Sequence, residues 1–155
     1  MATMAGFEKQ LDSLINSLLE LDYDAIEAYR AALARLENHD DRKYLATFLA
    51  DHERHARELT ILVSAMGKEP SKGADVKHWL TKGKVVIAGL AGDRAILMAM
   101  KTNEDDTNLA YERATRRTDL PTDVRIVLER NLADERRHRA YIESRLGVAR
   151  TAEAE

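Results

Sequence analysis

The feature that most limits what this chain can become is the spacing of its apolar residues. In four separate stretches they recur in steps of three and four, the repeat of one helix face. The first stretch reads Leu11, Ile15, Leu18, Asp22, Ala25, Tyr29, Ala32, Leu36 and predicts a helix from about Gly6 to Glu37. The polar run Asn38-His39-Asp40-Asp41 predicts a short capped turn. A second helix follows to about Met66, with stripe Leu45, Phe48, His52, His55, Leu59, Leu62, Met66, and Gly67 is placed to end it. The third starts near Asp93 with Leu97, Met100, Glu104, Thr107, Tyr111, Ala114. Thr118 to Asp123 predicts a break that caps the fourth, whose stripe is Val124, Leu128, Asn131, Glu135, His138, Ile142. Only 7 glycines and 2 prolines stand among 155 residues, as a mostly helical chain requires. The expected fold is all-α, a four-helix bundle of two antiparallel hairpins. It forms a single domain over residues 1–150, with a disordered tail at 151–155.

Four of the glycines and Pro70 fall between Lys68 and Gly92, interleaved with an apolar patch at Trp79, Leu80, Val85, Val86 and Ile87. This stretch predicts a long crossover between the hairpins, carrying a short extra helix that lids one end of the bundle.

Six stripe positions carry residues where leucine is expected: Asp22, His52, His55, Glu104, Glu135 and His138. Buried carboxylates and imidazoles are costly unless paired or metal-bound. They also repeat between the halves. Asp22 and Glu104 each stand seven residues before a tyrosine, Tyr29 and Tyr111. Each carboxylate is followed about thirty residues later by a polar residue three before a histidine, His52-x-x-His55 and Glu135-x-x-His138. Residues at i and i+3 project from one helix face and can reach one ion. Carboxylate oxygen with imidazole nitrogen suits iron, manganese or zinc.

On these residues the chain resembles the ferritin-like superfamily, in particular its rubrerythrin-like and uncharacterised bacterial four-helix branches. Carrying the resemblance are Asp22-x6-Tyr29, His52-x-x-His55, Glu104-x6-Tyr111 and Glu135-x-x-His138, in the family's order, together with Leu120-Pro121-Thr122-Asp123-Val124-Arg125. It spans about residues 10 to 146. The resemblance implies a di-iron or di-manganese centre with Asp22 and Glu104 as terminal ligands, Glu135 as a bridge, and His55 and His138 as one imidazole on each metal. Such a centre reacts with O2 or peroxide as an oxidase, peroxidase or ferroxidase, in oxidative stress or iron handling.

The chain departs from the full set at His52, where a second bridging glutamate would stand, and Asp22 is one methylene short. Neutral imidazole offers one lone pair, so His52 can bind but cannot bridge as a carboxylate does. Two outcomes stay open: a dinuclear centre with one carboxylate bridge, or a mononuclear Asp22, His52, His55 set suited to Fe(II). Tyr29 and Tyr111 could hydrogen-bond the carboxylates, donate single electrons or simply fill the core, and Asn131 could orient Glu135.

Other readings compete. Imidazole-rich sites favour redox-silent zinc, which points to a non-catalytic zinc- or iron-binding stress protein. Without metal, Glu104, Glu135 and the histidines could form a buried hydrogen-bonded ion network fixing helix register. A third possibility is a helical interaction module docking through Trp79 to Leu90, to a partner or a second copy, and a homodimer is the expected assembly. His39, in the turn, and His78, in the crossover, have no partner in the pattern. Glu20, Asp24, Glu27, Glu53, Glu112, Asp105, Asp106, Arg136 and Arg137 read as solvated.

A net charge of −3 with interspersed bases argues against nucleic-acid binding. No apolar run reaches the ~18 residues of a spanning helix, and no membrane partner is expected. The opening residues lack a signal-peptide pattern, so a cytoplasmic protein is the expectation. The chain has no cysteine, so there is no disulfide and no four-cysteine electron-transfer module, and electrons would come from an external donor.

Overall fold

The computed structural model describes residues 3–73, 87 and 89–147. Four helices follow one another, α1 (Leu11–Leu33), α2 (His39–Ala65), α3 (Asp93–Thr115) and α4 (Thr122–Leu146). Among the described residues there is no strand. Helices α1 and α2 form one hairpin, α3 and α4 the other, and the two join chiefly through α1 and α3. This is an all-α four-helix bundle. The expected crossover helix around Trp79 (with His78) and the tail at 151–155 lie outside the described residues.

Every stripe residue from Ile15 to Leu36 on the first helix and its following turn is buried, as are all those named on α3 and α4. On α2 the stripe is buried from Leu45 to Leu62, and Met66 packs half-buried against the same core. The apolar core is divided in two. One cluster holds Leu14, Leu18, Leu59, Val63, Ala114 and Leu128. The other holds Ala32, Leu45, Phe48, Met100, Ile142 and Leu146. Between them lies a layer containing the six fully buried polar residues.

Helix α1 begins at Leu11, the first residue of its apolar stripe, and not at the expected Gly6. Residues before it use their carbonyls elsewhere: Arg113 donates to Thr3 and Ala5 at 2.7 and 3.2 Å, and Arg117 donates to Glu8 at 2.9 Å. Gly6 sits at φ +97, and a Cβ there would stand 2.7 Å from Arg113 Cβ and 2.8 Å from the Ala110 carbonyl oxygen. Gly6→Ala combines left-handed strain with a clash, so it is expected to destabilise by about 1–3 kcal/mol. A lower urea midpoint at unchanged slope checks this.

The helix ends are fixed by specific contacts. Asn38 caps α2 by accepting from the Asp41 amide at 3.0 Å. Asp93, the first residue of α3, accepts from the Glu37 and Asn38 amides at 2.9 and 2.8 Å and thereby ties the two hairpins together. Pro121 stands at the α4 N-cap, so no side chain caps that helix, contrary to the expectation for the Thr118–Asp123 break. Arg125 instead reaches back to the Thr115 and Arg117 carbonyls at 3.2 and 2.6 Å, satisfying acceptors left open at the end of α3.

Candidate metal centre

Asp22, His52, His55, Glu104, Glu135 and His138 meet in the polar layer, each fully buried. They form two groups of four whose donor atoms all lie within 4.8 Å of one another: Asp22, His52, His55 and Glu135, then His52, Glu104, Glu135 and His138. His52 and Glu135 belong to both. The pseudo-repeat of the sequence is therefore also a pseudo-repeat in space.

In the first group, Asp22 Oδ1 lies 2.8 Å from His52 Nδ1 and 3.3 Å from His55 Nδ1. Glu135 Oε1 lies 3.5 and 3.3 Å from the same two nitrogens. Donors around one four-coordinate ion with bonds of about 2.0–2.2 Å stand about 3.3–3.6 Å apart, so most of these spacings suit a shared cation. The second group is wider. His52 Nε2 is 3.6 Å from Glu104 Oε1, and His138 Nδ1 is 3.7 Å from Glu104 Oε2 and 4.0 Å from Glu135 Oε2. The two oxygens of Glu135 thus face different groups.

Buried polar atoms are nearly always hydrogen-bonded. Here His52 Nε2, Glu104 Oε2, both Glu135 carboxylate oxygens and His138 Nδ1 are buried with no hydrogen-bond partner. Five unsatisfied donor atoms aimed at one small space fit a metal ion better than they fit a closed hydrogen-bond network.

The tyrosines cross between the hairpins. Tyr29 on α1 donates to Glu104 Oε1 on α3 at 2.5 Å, and Tyr111 on α3 donates to Asp22 Oδ2 on α1 at 2.6 Å. Each fixes the carboxylate of the opposite half. Burial and the adjacent carboxylates push both phenols well above the ordinary tyrosine range, so both stay protonated donors. Asn131 donates to the Tyr111 hydroxyl at 3.4 Å, so it supports Tyr111 and makes no contact with Glu135 of the kind expected.

Two functional residues escaped the sequence reading. Asp51 Oδ2 faces His138 Nε2 at 3.0 Å, and Asp134 Oδ2 faces His55 Nε2 at 3.2 Å. A carboxylate on the outer nitrogen fixes the ring and leaves Nδ1 for the interior. Arg137 bonds both aspartates, at 2.5 Å to Asp51 and 3.0 Å to Asp134, and Arg54 does the same from α2. The signal was present: Asp51-x-x-Arg54-His55 and Asp134-x-x-Arg137-His138 repeat in both halves. Arg137 does face outward, as expected, and still makes these bonds because its long stem lies along the helix surface. Asp24, Asp105 and Asp106, expected to be solvated, are half-buried: one Asp24 carboxylate oxygen is buried, Asp105 keeps 46% of its side chain exposed, and Asp106 accepts from the Thr3 amide at 3.1 Å.

Protonation follows from these contacts. Burial works against a charged imidazole at His55, yet hydrogen bonds to Asp134 and Asp22, with the Glu135 carboxylate 3.3 Å from Nδ1, raise it to about 10. His52 is likewise raised, its carboxylate neighbours outweighing burial. His138 is lowered, chiefly by burial, and so presents a free Nδ1 lone pair. Burial alone would raise Asp22, but hydrogen bonds from His52 and His55 bring it to about 2. Glu135 is raised, by burial first and by the Glu104 charge. Without metal, two imidazolium protons hold the carboxylates together.

If Asp134 orients His55 as this geometry implies, Asp134→Asn is expected to weaken metal binding about 10–100-fold while the fold persists. Competition against a chromogenic chelator measures the loss, and unchanged affinity would show the contact to be only structural.

Fold and site together define a four-helix protein with a buried carboxylate–histidine cluster able to hold metal. The chain belongs to the family described as "Domain of unknown function (DUF2383)", which matches residues 10–117. The match covers Asp22, His52, His55 and Glu104 and ends before α4, which supplies Glu135 and His138. No curated protein and no solved structure matches the chain. No described helix is long and apolar enough to cross a membrane.

Proposed function

We propose that this protein is a ferritin-like metalloprotein whose bundle core holds two transition-metal ions, iron or manganese, and that it acts on O2 or peroxide. The observation that carries the reading is the convergence of five unpartnered buried donor atoms between two overlapping four-residue groups. Asp22, His52, His55 and Glu135 would hold one ion, and His52, Glu104, Glu135 and His138 the other. The bound ions supply one-electron chemistry and open coordination positions for an oxidant. The chain's own residues do the rest. Tyr29 and Tyr111 keep their protons on the outer carboxylates. Asp51 and Asp134 hold the histidine rings with Nδ1 inward. The two apolar clusters on either side exclude bulk water. With no cysteine in the chain, reducing equivalents come from a separate donor.

Metal analysis of the purified protein is expected to find up to two ions per chain. Protein stripped and reloaded with Fe(II) or Mn(II) is expected to consume O2 or peroxide faster than the free ion. A loaded protein without turnover would end the redox reading.

One observation favours a second reading. The first group supplies two nitrogens and two oxygens, with three of its four nitrogen–oxygen spacings at 3.3–3.5 Å, a number and type of donor that zinc accepts in four-coordinate sites. A structural zinc protein would bind zinc stoichiometrically, melt at a higher temperature and give no spectral response to oxidant.

A further inference from the structure

We infer that His52 joins the two ion sites as a bridging imidazolate, one ring nitrogen to each ion. This rests on the metal reading above and decides how the two ions are spaced. Nδ1 and Nε2 occupy diverging edges of the ring, and here each faces a carboxylate of a different group. Nδ1 is 2.8 Å from Asp22 Oδ1 and 3.5 Å from Glu135 Oε1, while Nε2 is 3.6 Å from Glu104 Oε1. Nε2 is buried and lacks any hydrogen-bond partner, so nothing in the protein already claims it. The ring is also held in place. It is wedged between Tyr29, His55 and His138, with centroids at 5.2, 5.5 and 5.2 Å. A neutral imidazole can serve only one of the two sites. When the second metal–nitrogen bond forms, the remaining ring N–H proton leaves to solvent and the second lone pair is freed. Glu135, with one oxygen facing each group, spans the same gap from α4. Histidine in place of a second carboxylate then changes one of two bridges without removing it, and ions on opposite edges of a ring stand farther apart than ions bridged by carboxylates alone.

Zinc(II) is the probe, with stoichiometry from native mass spectrometry and metal separation from zinc-edge X-ray absorption. Wild type is expected to bind two zinc ions with no metal–metal vector at the about 3.5–4 Å of ordinary two-metal sites. His52→Gln keeps a side chain of similar reach with a single donor oxygen and is expected to retain one ion and bind the second at least tenfold more weakly. His52→Glu supplies the second carboxylate bridge and is expected to bind two ions with the short vector present. Thermal melts of both variants without metal separate site effects from failure to fold. Two ions with the short vector in wild type would overturn the bridge and leave the metal reading intact, as would a single ion per chain. No zinc at all would overturn the metal reading itself.

Discussion

Metal-free protein is expected to lose stability as pH rises from about 6.5 to 10, and metal-loaded protein is not. His55 carries the effect. Its folded value of about 10 lies above the ordinary 6.5, so the folded state holds a proton that the unfolded state releases. The stabilisation is complete below the unfolded value and disappears as pH climbs through the folded one. At about 1.4 kcal/mol per unit, the loss is of the order of a few kcal/mol for this fully buried side chain. His52 and Glu135, both raised, act in the same direction. His138, lowered by burial, acts oppositely and only on the acid side, and Asp22 loses its contribution as pH falls from 3.8 toward about 2. Asp24, raised by burial from 3.8 to about 7, also loses stability as pH rises over that interval, so the metal-free optimum lies below pH 6.5. A bound ion takes the place of the inward protons, so affinity rises with pH and offsets the fall. Urea titrations at several pH values, with chelator and with stoichiometric zinc, give the two curves. Parallel curves would mean that the ion does not displace these protons.

Glu135→Gln is expected to move metal binding and metal-free stability in opposite directions. Its two oxygens face different groups, so the amide weakens both sites. The loss should reach or exceed the roughly hundredfold upper range seen for residues that merely orient ligands. In the metal-free protein the same carboxylate is buried with both oxygens unpartnered and is crowded by Glu104. Neutralising it removes an ionised form that folding disfavours, so the metal-free variant should be more stable, on the order of 1 kcal/mol. Chelator competition and melting without metal read the two effects separately. A variant that melts lower without metal and binds metal normally would place Glu135 in a register-fixing ion network.

The helices were legible because burial and period coincide. All the polar positions singled out from the stripes are fully buried, since a residue on the apolar face of an amphipathic helix has nowhere else to go. The residues ahead of Leu11 stay out of α1 because Arg113 and Arg117 take the carbonyls of Thr3, Ala5, Glu8 and Lys9, long-range contacts that the segment's own sequence does not reveal. Asp51 and Asp134 were missed for a related reason. Each stands one residue off the stripe, at the edge of the helix face, and becomes half-buried or buried only because the opposite helix brings a histidine to it.

The sequence by itself determined which residues face the core, because helical period is a property of one segment. It also determined that two carboxylate-then-histidine sets recur in the two halves. Only the tertiary structure decided how those faces meet: that Tyr29 bonds Glu104 while Tyr111 bonds Asp22, and that His55 leans on Asp134 while His138 leans on Asp51. Such pairings depend on the rotation and register of one helix against another, which intrahelical spacing leaves open. They also decided the orientation of His52. In the sequence it is a histidine where a bridging carboxylate is expected. In the bundle its two nitrogens face two different donor groups, because α1 and α3 approach the ring from opposite edges.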